Sequence, residues 1–138
     1  MGGGSISLKS RPGQAGLSSL LEFERLAVEV GATKAGLKPV VPRTVQGESG
    51  VVHSFSLLFS DGGRFHAFDI YDSVSDIEVV KSYAKKLDTG CSVDIVCPDG
   101  KVTGGADRLA ASYGIRVVSP EAAAALLTPE EAPLRRSN

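Results

Sequence analysis

Asp69 and Tyr71 are the residues of this sequence best placed to act together. They stand two apart in the run Arg64–Tyr71, so on a strand they share one face, with Asp72 on the other. A strand-end carboxylate admits two readings: the remnant of a metal or phosphate site, or a polar residue bonded to Tyr71 or to a helix N-terminus. The Tyr71 phenol carries no positive charge near neutral pH. Lys81, Lys85, Lys86, Arg64, Arg25 and Arg108 are the cations available for phosphate contacts, which would hold a nucleic-acid backbone without reading its sequence. The plain alternative is a solvated helix face. Cys91 and Cys97 lie at the two ends of one predicted strand and cannot meet, which points to reduced thiols. With His53 and His66 they give no ligand-pair spacing for zinc. The two histidines are placed to face each other across a hairpin, with no third ligand evident. Gly47-Glu48-Ser49-Gly50 is neither a nucleophile elbow nor a P-loop and reads as a loop before a strand.

The elements that must position these groups follow from periodicity. Leu20, Leu21, Phe23, Leu26, Ala27 and Val30 recur at helical spacing over 18–30. The stretch 32–42 carries Gly36, Pro39 and Pro42, and reads as loop or as a proline-interrupted edge strand. Val51–Phe59 and Arg64–Tyr71 are strand-like, and Asp61-Gly62-Gly63 between them predicts a hairpin. Ser75-x-x-Glu78 has the form of a capping box, and the helix after it is expected to bury Ile77, Val80, Ala84 and Leu87. Ser92–Cys97 is a strand expected to lie parallel to Arg64–Tyr71 through that helix. A helix opens at Thr103 and ends near Gly114, Ile115–Val118 is a short strand, and a last helix follows Ser119-Pro120. The phenylalanines Phe23, Phe55, Phe59, Phe65 and Phe68 fall in core-forming segments.

This order predicts an α/β domain with a mixed sheet, a β-hairpin and flanking helices over 17–127, between tails at 1–16 and 128–138 expected to be flexible. With 138 residues and a formal charge of −1, the chain has a size suited to one domain and no global basic field. No apolar run approaches a membrane span, Ile6 breaks the myristoylation motif, and a cytoplasmic protein is expected.

Phe23-Glu24-Arg25-Leu26 on the first helix, Gly47-Glu48-Ser49-Gly50-Val51 before the hairpin, and Ala106-x-x-Leu109-Ala110-x-x-Tyr113-Gly114-Ile115 carry a resemblance over roughly residues 20–120. In this order they resemble the restriction-endonuclease-like, or PD-(D/E)XK, superfamily, nearest to its Mrr-type endonucleases and archaeal Holliday-junction resolvases. The resemblance implies a metal-dependent nuclease site: an Asp on the first hairpin strand, an acid on the second, and a Lys two residues later. Ser56 stands at the first of these positions, Asp69 at the second and Tyr71 at the third, with Glu24 as the early acid. A neutral hydroxyl and a neutral phenol replace two of the three groups. The resemblance therefore implies a degenerate nuclease-like domain that binds nucleic acid through Lys81, Lys85, Lys86 and Arg64, or that serves an assembly. Such a domain needs no cofactor, and Asp69 is the one candidate metal ligand. The alternatives are an active magnesium- or manganese-dependent endonuclease with a rearranged site, and a homodimer or other protein–protein module. The expected partners are a DNA or RNA backbone or a protein, with no membrane.

Overall fold

A computed structural model of the chain describes residues 20–28, 30 and 38–126. The tails expected at 1–16 and 128–138 lie outside the described residues. Helix α1 covers residues 20–28. The strands β1 (Lys38–Pro39), β2 (Thr44–Gln46), β3 (Val52–Ser54), β4 (Leu57–Asp61) and β5 (Arg64–Ile70) follow. Helix α2 (Asp76–Thr89), strand β6 (Ser92–Val96), helix α3 (Gly104–Ser112), strand β7 (Val117–Val118) and helix α4 (Pro120–Leu126) complete the order.

Five strands form one mixed sheet in the order β1-β4-β5-β6-β7, and β2 pairs with β3 apart from it. The β4–β5 hairpin turns on Gly62 and Gly63, whose φ values of 59° and 92° suit the tight turn expected there. β6 lies parallel to β5, in register His66 with Ser92 through Ile70 with Val96, as the α2 crossover requires. The proline-bearing segment does become an edge strand, Lys38–Pro39 against β4.

One expected strand is divided. Val51–Phe59 does not run as a single strand, because Val52–Ser54 pairs with Thr44–Gln46 in the small sheet and only Leu57 onward pairs with β5. The change falls at Phe55-Ser56, where the Phe55 N–H donates to Arg43 O and the Ser56 N–H to Phe68 O. The chain thus serves two sheets at once. The histidines consequently do not face each other: His53 lies opposite Val45 in one sheet, and His66 opposite Phe59 in the other.

The central strands are buried on both faces, which is why they read as near-continuous apolar runs. On one face Leu57, Phe59, Phe68 and Val96 meet Leu20, Phe23 and Ala27 of α1 and Ala123 of α4. On the other, Ile95 and Cys97 meet Val79 of α2 and Ala106 and Ala110 of α3. Phe55, Leu58, Ala67, Cys91 and Val93 fill a third cluster with Val40 and Val45 beside it.

Helix α2 contradicts the amphipathic rule. Ile77, Val80 and Leu87 are 63 %, 48 % and 64 % exposed, and Ala84 is exposed too. The buried side carries Val79 and Ser82. Tyr83 stacks on Tyr113 of α3 at 3.8 Å. Lys86 Nζ donates to Tyr113 O and Gly114 O at the end of α3. The inward face is polar because the sheet surface beneath it carries a carboxylate.

Candidate functional site

That carboxylate is Asp69, only 3 % exposed. Strand alternation puts it on the face of Ala67, beneath α2. Ser82 and Lys85 stand three apart, so one turn of α2 presents both to it. Ser82 Oγ donates to Asp69 Oδ2 at 2.6 Å, and Lys85 Nζ donates to Asp69 Oδ1 at 2.7 Å. Lys85 Nζ also donates to Ser54 O at 2.8 Å and lies 4.6 Å from the centre of the Phe55 ring.

Tyr71 belongs to the same network, its hydroxyl 3.3 Å from Ser82 Oγ. A serine has one proton. Ser82 gives it to Asp69, so the Tyr71 hydroxyl must donate to Ser82. Burial raises the phenol pKa above its ordinary value, even though the Ser82 bond pulls the other way, and the ring stays neutral. Ser56 sits one step beyond the Leu57–Phe68 pair, next to Asp69 in register. Its Oγ accepts from the Ile70 N–H at 2.9 Å and its carbonyl accepts from Arg43 Nη1 at 2.7 Å.

Asp69, Tyr71 and Ser56 thus lie side by side, and Ser82 and Lys85 join them. Glu24 is elsewhere: it is half-buried on α1, on the opposite face of the sheet, in a shallow depression with Arg25 and Arg43. Among the described residues, no three His, Cys, Asp or Glu side chains converge to hold a metal. A divalent ion does not fit at Asp69. It would have to displace an ammonium already 2.7 Å from one oxygen, and it would gain one charged ligand where hard cations take several.

The basic residues divide. Lys85 is committed to Asp69, and Lys86 to the end of α3. Lys81 and Arg64 are exposed. The Ser82–Lys85 spacing was visible in the sequence, but nothing in the sequence paired it with Asp69. Arg116 was also missed: its guanidinium meets both oxygens of Asp94, at 3.1 and 2.8 Å, which raises its pKa. Both cysteines are free and buried, and burial pushes the Cys97 thiol up to about 11, so it is an unreactive packing residue.

Asp88 ties the β2–β3 hairpin to the last turn of α2. It accepts from Ser49 Oγ at 2.6 Å and from the Ser49 N–H at 2.9 Å, and its other contact is His53 Nε2 at 2.7 Å. A Cβ at Gly47 would overlap the Asp88 carboxylate, so a side chain there would push that carboxylate out of this position. The Ser49 hydroxyl, then His53, hold the Asp88 carboxyl down to about 2. A depressed carboxylate stabilises above its ordinary value, and that stabilisation is lost as pH falls through its folded value. The hairpin amides are therefore expected to lose hydrogen-exchange protection between about pH 4 and pH 2, ahead of the β5–β6 core, and Asp88→Asn should abolish that acid step. Loss of both regions together would show that Asp88 does not govern the hairpin.

No family model matches the chain, and no curated protein matches it. Among solved structures it is similar to the crystal structure of a protein of unknown function, AF1548. The TM-score is 0.51 at 17% identity, over 70% of this chain and 57% of that one. The likeness is one of fold alone. This chain spans little more than half the length of that neighbour.

Proposed function

We propose that this chain is a nuclease-like domain of the restriction-endonuclease-like type that binds without cutting, as a nucleic-acid-binding or assembly module. The observation that carries the reading is the state of Asp69. Both of its oxygens are taken by groups of α2, and the cation beside it is a lysine of the chain itself. Metal-dependent phosphodiester cleavage needs carboxylates converging on an ion and a water held against the phosphate. A 3 %-exposed carboxylate under a helix offers neither. Ser56 and Tyr71, next to Asp69 and both neutral, fit a site whose charged groups have been exchanged.

The assembly side of the reading is supported by α2. Ile77, Val80, Ala84 and Leu87 line up along its outer face, and exposed apolar surface of this kind is what a protein partner covers.

The expected outcome is no cleavage of single- or double-stranded DNA or RNA with magnesium or manganese, and no heat of manganese binding in calorimetry. Metal-dependent cleavage that disappears in Asp69→Asn would overturn the reading in favour of a rearranged endonuclease.

A further inference from the structure

The far end of β5 carries a second feature. A cleft of about 520 Å³ opens between the first residues of β5 and β6 and the last turn of α2. Arg64, Phe65, His66, Lys86, Thr89 and Ser92 are among the residues lining it, and among the described residues no acidic one lines it. Arg64 lies five residues before Asp69, about 17 Å away along the strand, so the cleft is separate from the Asp69 network.

Its lining carries basic side chains in a chain of net charge −1. Arg64 and Lys86 supply two cations. Against them stand Asp61, directly across from Arg64 in register, and the carbonyl end of α2, worth roughly half a negative charge. Lys86 offsets that end and the carbonyl end of α3 on which it sits, and Arg64, exposed to solvent, is the cation left to meet an anion. Lys86 Nζ spends two of its three protons on Tyr113 O and Gly114 O, at 3.3 and 3.2 Å, which fixes the ammonium and leaves one donor. Arg64 is exposed and keeps a forked guanidinium for an anion.

Phe65 decides the class of ligand. Phe23, Phe55, Phe59 and Phe68 are buried, whereas Phe65 is 38 % exposed and lines this cleft. A free phosphate has no use for an aromatic face, but a nucleotide in a strand presents a base to stack and a phosphodiester to pair. A duplex keeps its bases stacked inside and offers none to Phe65.

We propose that this cleft binds a segment of single-stranded nucleic acid, with Phe65, which alternation puts on the α2 side of β5, stacked on a base, Lys86 on one phosphodiester, and Arg64, which leaves the strand on its other face, on a neighbouring one. The proposal rests on the binding reading above and gives it a location away from Asp69.

The test is fluorescence anisotropy of the full chain with a labelled twelve-nucleotide single strand, in EDTA at low salt. EDTA removes metal chemistry, so failure here is distinct from the failure of the non-cleaving reading, which is scored by metal-dependent cleavage. Phe65→Ala is expected to weaken binding about tenfold. Arg64→Ala should weaken it and lower the slope of log affinity against log salt by about 0.7. Lys101→Ala, an equal charge change in the loop after β6 at the other end of the sheet, should leave affinity within about twofold. A matched duplex and a mononucleotide should bind more weakly than the strand. Circular dichroism confirms that the variants fold. The proposal is overturned if the strand does not bind, if Lys101→Ala weakens it as much as Arg64→Ala, if Phe65→Ala has no effect, or if a mononucleotide or duplex binds as tightly as the strand.

Discussion

Lys85→Met is expected to destabilise the protein by about 3 kcal/mol, the low end of the cost of breaking a buried ion pair from one side. Methionine keeps the length of the side chain and its packing on Phe55 but removes the ammonium from Asp69 Oδ1 and Ser54 O. Asp69 then keeps only the Ser82 hydroxyl, under a helix, with its side chain 5 % exposed. The low end applies because the lysine side chain itself is 18 % exposed, so water reaches part of the pair. Adding Asp69→Asn to Lys85→Met should recover a large part of the loss. It deletes the unpaired charge and retains an oxygen for Ser82, and the two sites touch, so their effects do not add. Urea titrations of the wild type, both single variants and the double variant give the coupling. A Lys85→Met cost below about 0.5 kcal/mol, the range of exposed pairs, would mean that the ammonium is not what holds the carboxylate.

Phe68→Ala should cost more, about 3–5 kcal/mol. The Phe68 ring is 4 % exposed and meets Phe23 edge-on at 5.6 Å and Phe59 at 6.3 Å. It is the point at which β5 grips both α1 and β4, so the cavity cannot collapse without moving a helix or a strand. Three residues earlier on the same strand, Phe65→Ala removes a ring of which 38 % is already in water, and about 1 kcal/mol is expected. Denaturation followed by circular dichroism compares the two. Similar costs for both would show that the α1 face of the sheet is not the dominant core.

Much of the architecture was legible because it is set by local chemistry. Gly62-Gly63 can adopt the positive φ angles of a tight hairpin, which fixed β4 against β5. Ser75 and Glu78 began α2 where expected, with the Glu78 carboxylate accepting from the Ser75 N–H and hydroxyl, bonds that lower its pKa. Thr103 caps α3 through the Ala106 N–H, and Gly114 follows the end of that helix at φ 73°. A strand, a helix and another strand then made β5 and β6 parallel neighbours. Asp69, Tyr71 and Ser56 came together because register and alternation are properties of strands, and both could be counted along the chain.

Which side of α2 faces inward was decided only by the tertiary structure. Periodicity marks an apolar stripe, but it cannot say what the facing sheet requires. The sheet presents a buried carboxylate there, and leaving it unpaired would cost several kcal/mol, enough to offset the partial exposure of three aliphatic side chains. Ser82 and Lys85 therefore turn inward, Tyr83 and Lys86 engage α3, and Ile77, Val80 and Leu87 turn outward. The partners that settle this are 13 and 16 residues from Asp69, and His53 and Asp88 are 35 apart. No local pattern encodes such pairings. By itself the sequence determined most of the elements, though not β2 or the break at Phe55-Ser56 that shares one strand run between two sheets. Tertiary structure decided which face was buried, because that choice depends on charges the chain brings together only when the sheet closes.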